Sequence, residues 1–150
     1  MTWNEKYTNL AKEISTWSKD PNTQIGCVAI GPHGQIVSQG YNGFPRGVND
    51  SEERLHNREL KHKYVVHAEM NCIYNAGLTG TSLEGSTMYV YGLPICHECA
   101  KGIIQSGVKE ARSYFSTDKD ISRWIDSTNL ASEMFNEAGV KYYINDTEYK

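Results

Sequence analysis

Two short segments constrain this chain more than anything else in it. They are His67-Ala68-Glu69 and Cys96-His97-Glu98-Cys99, the second with Pro94 just ahead of it. Cysteines at i and i+3 present both sulfurs on one side of a helical turn. A helix beginning near Cys96 would aim its free N–H groups and the positive end of its dipole at those sulfurs, favouring thiolate over thiol. One imidazole and two thiolates fill three corners of the tetrahedron that zinc prefers. A structural zinc site closes all four corners on protein atoms, so three ligands beside a carboxylate predict a catalytic site with one corner left for water. The fold must therefore bring these two segments together, with Glu69 next to the metal but not on it.

At 150 residues the chain has room for one domain, 1–150, with a proper core. No apolar run approaches the ~20 residues of a membrane helix, and Met1 to Lys6 lacks a signal-peptide pattern, so a cytoplasmic protein is the expectation. The net charge is -3. A chain that grips a nucleic-acid backbone usually carries a basic excess, so this balance favours a small substrate over a polymer while leaving room for a local basic patch. Outside the metal motif, Cys27 and Cys72 lie in apolar segments and read as small core residues.

Residues 2–18 predict an amphipathic helix. Thr2 and Glu5 fit a capping box, and Trp3, Tyr7, Leu10, Ile14 and Trp17 recur at helical spacing as a core-facing stripe. Ser18 to Asn22 breaks the helix. Gln24–Ile30 and Gln35–Tyr41 read as a hairpin across Gly31-Pro32-His33-Gly34, its first strand central. Gly40 to Gly47 is a glycine- and proline-rich loop in which Asn42 either bonds a sugar or base or only serves the turn. Asn49 to Lys63 is dense in charge. It reads as a solvated face, or else as a flap that contributes a phosphate-binding cation. His56 and His62 within it have no clear partner set for a second metal. A helix then runs from His67 to about Ala76 and is stopped by Gly77. The remaining elements are a strand over Ser86–Tyr91, a helix from Cys96 closed by Gly107 and a strand over Val108–Phe115. A helix carrying Ile121, Trp124, Ile125, Ala131, Met134, Phe135 and Ala138 follows, and a strand over Val140–Ile144 ends the series. Strands alternating with helices predict an α/β sandwich, a mixed sheet of about five strands with helices on both faces.

His-x-Glu followed by Cys-x-x-Cys is the signature of zinc nucleobase deaminases. More of the chain resembles one branch of that superfamily. Ser18-Lys19-Asp20-Pro21-Asn22-Thr23-Gln24-Ile25-Gly26 and Gly40-Tyr41-Asn42-Gly43-Phe44-Pro45 are similar to segments of the deoxycytidylate (dCMP) deaminases. His67 to Asn71, Met88-Tyr89-Val90, Cys96 to Lys101 and Ile104 to Val108 match the metal motifs and their surroundings. The resemblance implies a cytidine deaminase-like three-layer fold and hydrolytic deamination of dCMP to dUMP and ammonia, feeding thymidylate synthesis. It implies Zn²⁺ held by His67, Cys96 and Cys99, with Glu69 moving protons between water, N3 of the ring and the leaving amine. It further implies that Asn42 contacts the nucleotide and that Ser18, Lys19 and, more weakly, Arg46 are candidates for its phosphate. A homo-oligomer, a hexamer in many relatives, regulated by dCTP and dTTP also follows from it. One departure stands out: the family has Pro directly before its first Cys, whereas Ile95 intervenes here. That leaves dCTP, a modified cytosine nucleotide and a purine nucleotide open as substrates.

Three other readings compete. A deaminase of RNA or single-stranded DNA would need cations and aromatics along a strand path. A non-catalytic zinc module would need a fourth ligand, for which His97 is the only neighbour. A thiol redox protein using Cys96 and Cys99 would leave His67-Ala68-Glu69 without a purpose.

Overall fold

The computed structural model describes residues 1–150. Its elements are α1 (Trp3–Ser15), β1 (Gly26–Ile30), β2 (Ile36–Tyr41), α2 (Glu52–His56), α3 (Arg58–Tyr64), α4 (Ala68–Thr79), β3 (Thr87–Tyr91), α5 (His97–Gln105), β4 (Glu110–Tyr114), a 3₁₀ turn (Ser122–Trp124), α6 (Ile125–Ala138), β5 (Lys141–Ile144) and β6 (Thr147–Glu148). The six strands form one sheet in the order β2-β1-β3-β4-β5-β6. β3, β4 and β5 run parallel, and β1, β2 and β6 pair antiparallel to their neighbours. The sheet is mixed, as expected, with β6 a two-residue addition to the five anticipated strands.

The period-2 geometry of a strand sorts its side chains between two cores. Cys27 and Ala29 of β1 and Met88 and Val90 of β3 face α4, α5 and α6. Val28, Ile30 and Tyr89 face α1 through Ala11 and Ile14. All five residues of β1 are buried because strands flank it and helices cover both its faces. Cys27 and Cys72 are wholly buried in the larger core, as anticipated. No helix is long and apolar enough to cross a membrane.

Several boundaries differ from the expectation. The Thr2–Glu5 capping box is present, but the apolar stripe of α1 is narrower than its spacing predicts. Trp3 is 66% exposed and Trp17 52%. The buried face centres on Ala11, Ile14 and Ser15, because β1 approaches so closely there that a Cβ on Gly26 would lie 2.0 Å from the Ala11 carbonyl oxygen. Trp3 stacks instead on Tyr7, and Trp17 falls beyond the helix end, against Tyr41. Helix α4 passes through Gly77 and stops at Gly80, whose left-handed conformation (φ 69°) supplies the cap. The charged segment folds into α2 and α3, each capped by a side chain, Ser51 and Asn57 respectively. The predicted helix from Ile121 begins as a 3₁₀ turn, and α6 proper starts at Ile125.

One close approach fixes the helix that carries the first metal-motif residues. At Gly40 of β2, a Cβ would meet the Cys72 nitrogen at 2.4 Å and the Ala68 oxygen at 2.6 Å, all backbone. Only glycine lets α4 lie that close to the sheet. Gly40→Ala should push α4 outward, lowering stability by about 1–3 kcal/mol and loosening metal binding. Denaturant unfolding and metal titration measure both effects.

Candidate active site

Helices α4 and α5 point their N-termini at one spot. His67 is the N-cap of α4 and Cys96 the N-cap of α5, both with extended backbone. Cys96 follows the β3 strand, as strand-to-helix junctions predict. His67 does not follow a strand of the sheet: it comes after α3 and an isolated bridge between Gly43 and Val66. Cys99 lies one turn into α5, and its N–H donates to the Cys96 sulfur at 3.4 Å.

The three side chains converge. His67 Nδ1 lies 3.5 Å from Cys96 Sγ and 3.3 Å from Cys99 Sγ, and all three ligand atoms fall within 4.8 Å of one another. Tetrahedral coordination at zinc's usual bond lengths gives nitrogen–sulfur separations of about 3.5 Å. The residues present therefore fit such an ion without rearrangement. Without an ion they share protons among themselves. Cys96 is pulled down to about 4, first by the hydrogen bond from Cys99 and then by His67. His67 is raised to about 9 by its bond to Cys96, and Cys99 is pushed up, first by its bond to Cys96. A divalent cation would displace those protons.

Glu69 sits beside this cluster, only 4% exposed. Burial raises its carboxyl to about 7, the Cys96 charge adds to the rise and the His67 charge opposes it. A bound cation would draw it back toward an ionised base. His97 is turned away: its backbone N–H and its Nδ1 both meet Ser127 Oγ on α6, at 2.9 and 2.8 Å. No fourth ligand comes from it. His56 is engaged with Glu52 on its own helix, and no second cluster of ligands forms around His56 and His62.

A cavity of about 450 Å³ opens over the cluster, within the range of small-molecule sites. Glu69, His67 and Cys96 line it, and Ile25, Leu93, Pro94, Val65 and Trp124 give it apolar surface. Ile95, the extra residue before Cys96, does not reach it. Ile95 is fully buried, its N–H donates to Tyr142 Oη at 3.0 Å, and Tyr142 is bonded in turn to Ser113. The core absorbs the insertion, and Leu93 and Pro94 face the cavity in its place.

The other site residues expected from sequence divide. Asn42 lines the cavity but is also structural: Ile25 N–H donates to its Oδ1 at 2.8 Å, and its Nδ2 donates to the Thr23 carbonyl at 2.9 Å. Ser18 is buried off the cavity, donating to the Asn42 carbonyl and accepting from the Asp20 N–H. Lys19 pairs with Asp50 at 2.9 Å and, with Arg46, lines a second cavity of about 350 Å³. Asp20, Asn42, Lys61 and Val65 line both cavities and so form the wall between them. Lys61 and Asp20 make a buried ion pair in that wall, at 3.2 Å. Sequence reasoning missed Arg58, Lys61 and Arg123 as individual cavity residues and read Trp124 as core. The charge density of the Asn49–Lys63 segment was the only advance signal for Arg58 and Lys61; Arg123 had none.

Asn42→Ala should leave the buried Ile25 N–H and Thr23 carbonyl unpaired. That costs about 1–3 kcal/mol, whichever substrate is present, as a lower melting temperature would record.

Comparison with known proteins bears on this geometry. A family model described as the cytidine and deoxycytidylate deaminase zinc-binding region matches residues 1–114. An uncharacterized deaminase from the luxG 3′ region of Aliivibrio fischeri is 39% identical over 139 residues, covering 93% of this chain and 90% of the relative. The deoxycytidylate deaminase of Homo sapiens is 38% identical over 150 residues, covering 95% of this chain and 79% of that one. In fold, the chain is similar to the dCMP deaminase of cyanophage S-TIM5 solved with dCMP and dUMP. Its TM-score is 0.72 at 24% identity, over 93% of this chain and 94% of the other. With the metal-ligand triad, the buried glutamate and these matches together, the chain belongs to the cytidine and deoxycytidylate deaminase family.

Proposed function

We propose that this protein hydrolytically deaminates dCMP to dUMP and ammonia. The observation that carries the reading is the His67–Cys96–Cys99 cluster with Glu69 buried beside it, His67, Cys96 and Glu69 all lining one cavity. The 38% identity to a deoxycytidylate deaminase over nearly the whole chain supports the choice of nucleotide.

His67 Nδ1 and the sulfurs of Cys96 and Cys99 would hold Zn²⁺. The ion, when bound, supplies the Lewis acidity that brings the pKa of water toward ~7. Glu69 does the proton work. Its carboxylate accepts a proton from the attacking water and delivers it to N3 of the pyrimidine, then takes the proton of the new C4 hydroxyl and passes it to the amine as the C4–N bond breaks. Burial raises its pKa while a bound cation lowers it, and these opposing effects suit a carboxylate that takes a proton and then gives it back. The apolar walls at Ile25, Leu93, Pro94 and Trp124 exclude bulk water from the ring and offer it a surface to lie against.

Self-association is part of the same proposal. Trp17, Tyr41, Tyr74 and Leu78 are all exposed large hydrophobics, and they flank one surface depression beside the β2 edge. A grouped apolar patch of this kind is what a subunit interface leaves uncovered in a single chain. A hexamer is the expected assembly. The second cavity, with Lys19, Arg46 and Lys61 beside Tyr41 and Phe44, suits a dCTP or dTTP effector. Sedimentation should find a particle several times the 16.9 kDa chain; a monomer at micromolar concentration would count against the interface.

A spectrophotometric screen of dCMP, dCTP, CMP, dAMP and dGMP with zinc-loaded protein should find dCMP the fastest. Preference for a purine or a triphosphate would overturn the substrate assignment. Glu69→Ala should retain zinc at wild-type stoichiometry and lower kcat by about 10²–10⁴-fold. Cys99→Ala should lose the metal itself.

A further inference from the structure

We infer that Arg58 and Arg123 are the specificity residues of the catalytic cavity, a pair of guanidinium groups that grips the terminal phosphate of the nucleotide. The assignment rests on the deaminase reading of that cavity.

Arg58 opens α3, and Arg123 lies in the 3₁₀ turn before α6. Far apart in sequence, both line the cavity that holds His67, Glu69 and Cys96. Neither has an ion-pair partner, although the other two arginines with defined polar contacts near α3 and the glycine loop are engaged, Arg54 with the Asn49 carbonyl and Arg46 with Asn75. Arg123 has the Trp124 ring beneath it, at 4.8 Å, and feels the Asp120 carboxylate without forming an ion pair with it. The remaining full cation of the cavity, Lys61, is already matched to Asp20. Both guanidinium groups are exposed in the cavity lining, with neither an ion pair nor a hydrogen bond to the protein.

The surrounding charge strengthens the case. His62 shares the cavity, and its pKa is lowered first by burial and then by the positive charges of Arg58, Lys61, His67 and Arg123. All of them are close enough to oppose a proton on His62. The cavity's two carboxylates do not relieve them: Asp20 Oδ1 already accepts from Lys61, Asn22 and Thr23, and Glu69 lies buried at the metal end. A protein of net charge -3 thus concentrates unpaired cations at one mouth. A phosphate monoester brings nearly two negative charges and three acceptor oxygens, and guanidinium matches it with paired hydrogen bonds. With the phosphate at the open end, the rest of the nucleotide extends inward and its base reaches the metal end.

Calorimetry on zinc-loaded protein with deoxyribose 5-phosphate, a probe without a base, tests this directly. R58Q and R123Q should each bind it about tenfold more weakly than wild type, and the double variant about a hundredfold. R58K and R123K should recover only part of the loss. Zinc content and melting temperature should not move, since both side chains are exposed. For dCMP the loss should fall on KM, with kcat near wild type, while deoxycytidine, which has no phosphate, should be handled equally by all variants. Inorganic phosphate should bind more weakly than the sugar phosphate. Wild-type affinity in the double variant would overturn the assignment, as would an equal loss with deoxycytidine. So would inorganic phosphate binding as tightly as the sugar phosphate, or an oligodeoxycytidylate, with only diester phosphates inside, turned over as fast as dCMP. Wild-type protein that binds the sugar phosphate through these arginines but leaves dCMP intact would refute the deaminase reading and spare the phosphate site.

Discussion

Two helix N-termini meeting around one imidazole is the constraint on which the rest of this molecule depends. A buried helix start leaves N–H groups and partial positive charge to be satisfied, and thiolates satisfy them well. Cys96 does so for α5 by accepting from the Cys99 N–H. His67 does not cap α4 through a side-chain bond; its ring turns to the sulfurs instead. Each helix must then be held at the right depth over the sheet. Gly40 does this for α4 by having no side chain. For α5 the hold is polar and comes from a more distant strand on the same face of the sheet, where Tyr142 on β5 receives the Ile95 N–H just ahead of the cysteine. Residues that never approach substrate therefore set the nitrogen–sulfur distances.

What was legible in the sequence follows from how local its cause is. The Thr2–Glu5 cap, the central strand at β1, and the two helix starts at the metal cluster depend on neighbours a few residues away, and these appear in the structure where the spacing puts them. The breadth of the α1 stripe was not legible, because a close backbone approach at Gly26 decides which turn of the helix is buried. Nor was the fate of Ile95. An inserted residue shifts a loop only if the core cannot take it, and that depends on Tyr142 and Ser113, both distant in sequence. Asn42 shows that two local readings can coexist. One face of its amide holds the chain between Thr23 and Ile25, and the residue still reaches the cavity.

The charged stretch before His67 illustrates a different limit. Periodicity tells which residues share a helix face, but not what lies opposite. Within seven residues of α3, Lys61 turns inward to Asp20 while Arg58 and His62 border the cavity. A buried ion pair adds little net stability over an apolar pair of the same size. Its position suggests why it is kept: it joins α3 to the Asp20–Thr23 loop and separates two cavities by a single layer of side chains. Any ligand that drew Lys61 away from Asp20 on one side would change the wall seen from the other, a route for coupling that needs no long chain of contacts.

The division of labour along the chain points the same way. The family-model match ends at residue 114, close to the end of β4, and takes in the whole metal cluster with its glutamate. Arg123 and Trp124 lie beyond it, yet they complete the same cavity. Metal chemistry needs fixed distances and so stays with helices braced on the central strands. Choice of nucleotide needs only that suitable side chains reach the mouth, which a short turn between β4 and α6 can supply without disturbing the cluster beneath. Residues of the two segments 49–63 and 115–124 thus border the cavity without belonging to the elements that hold the cluster.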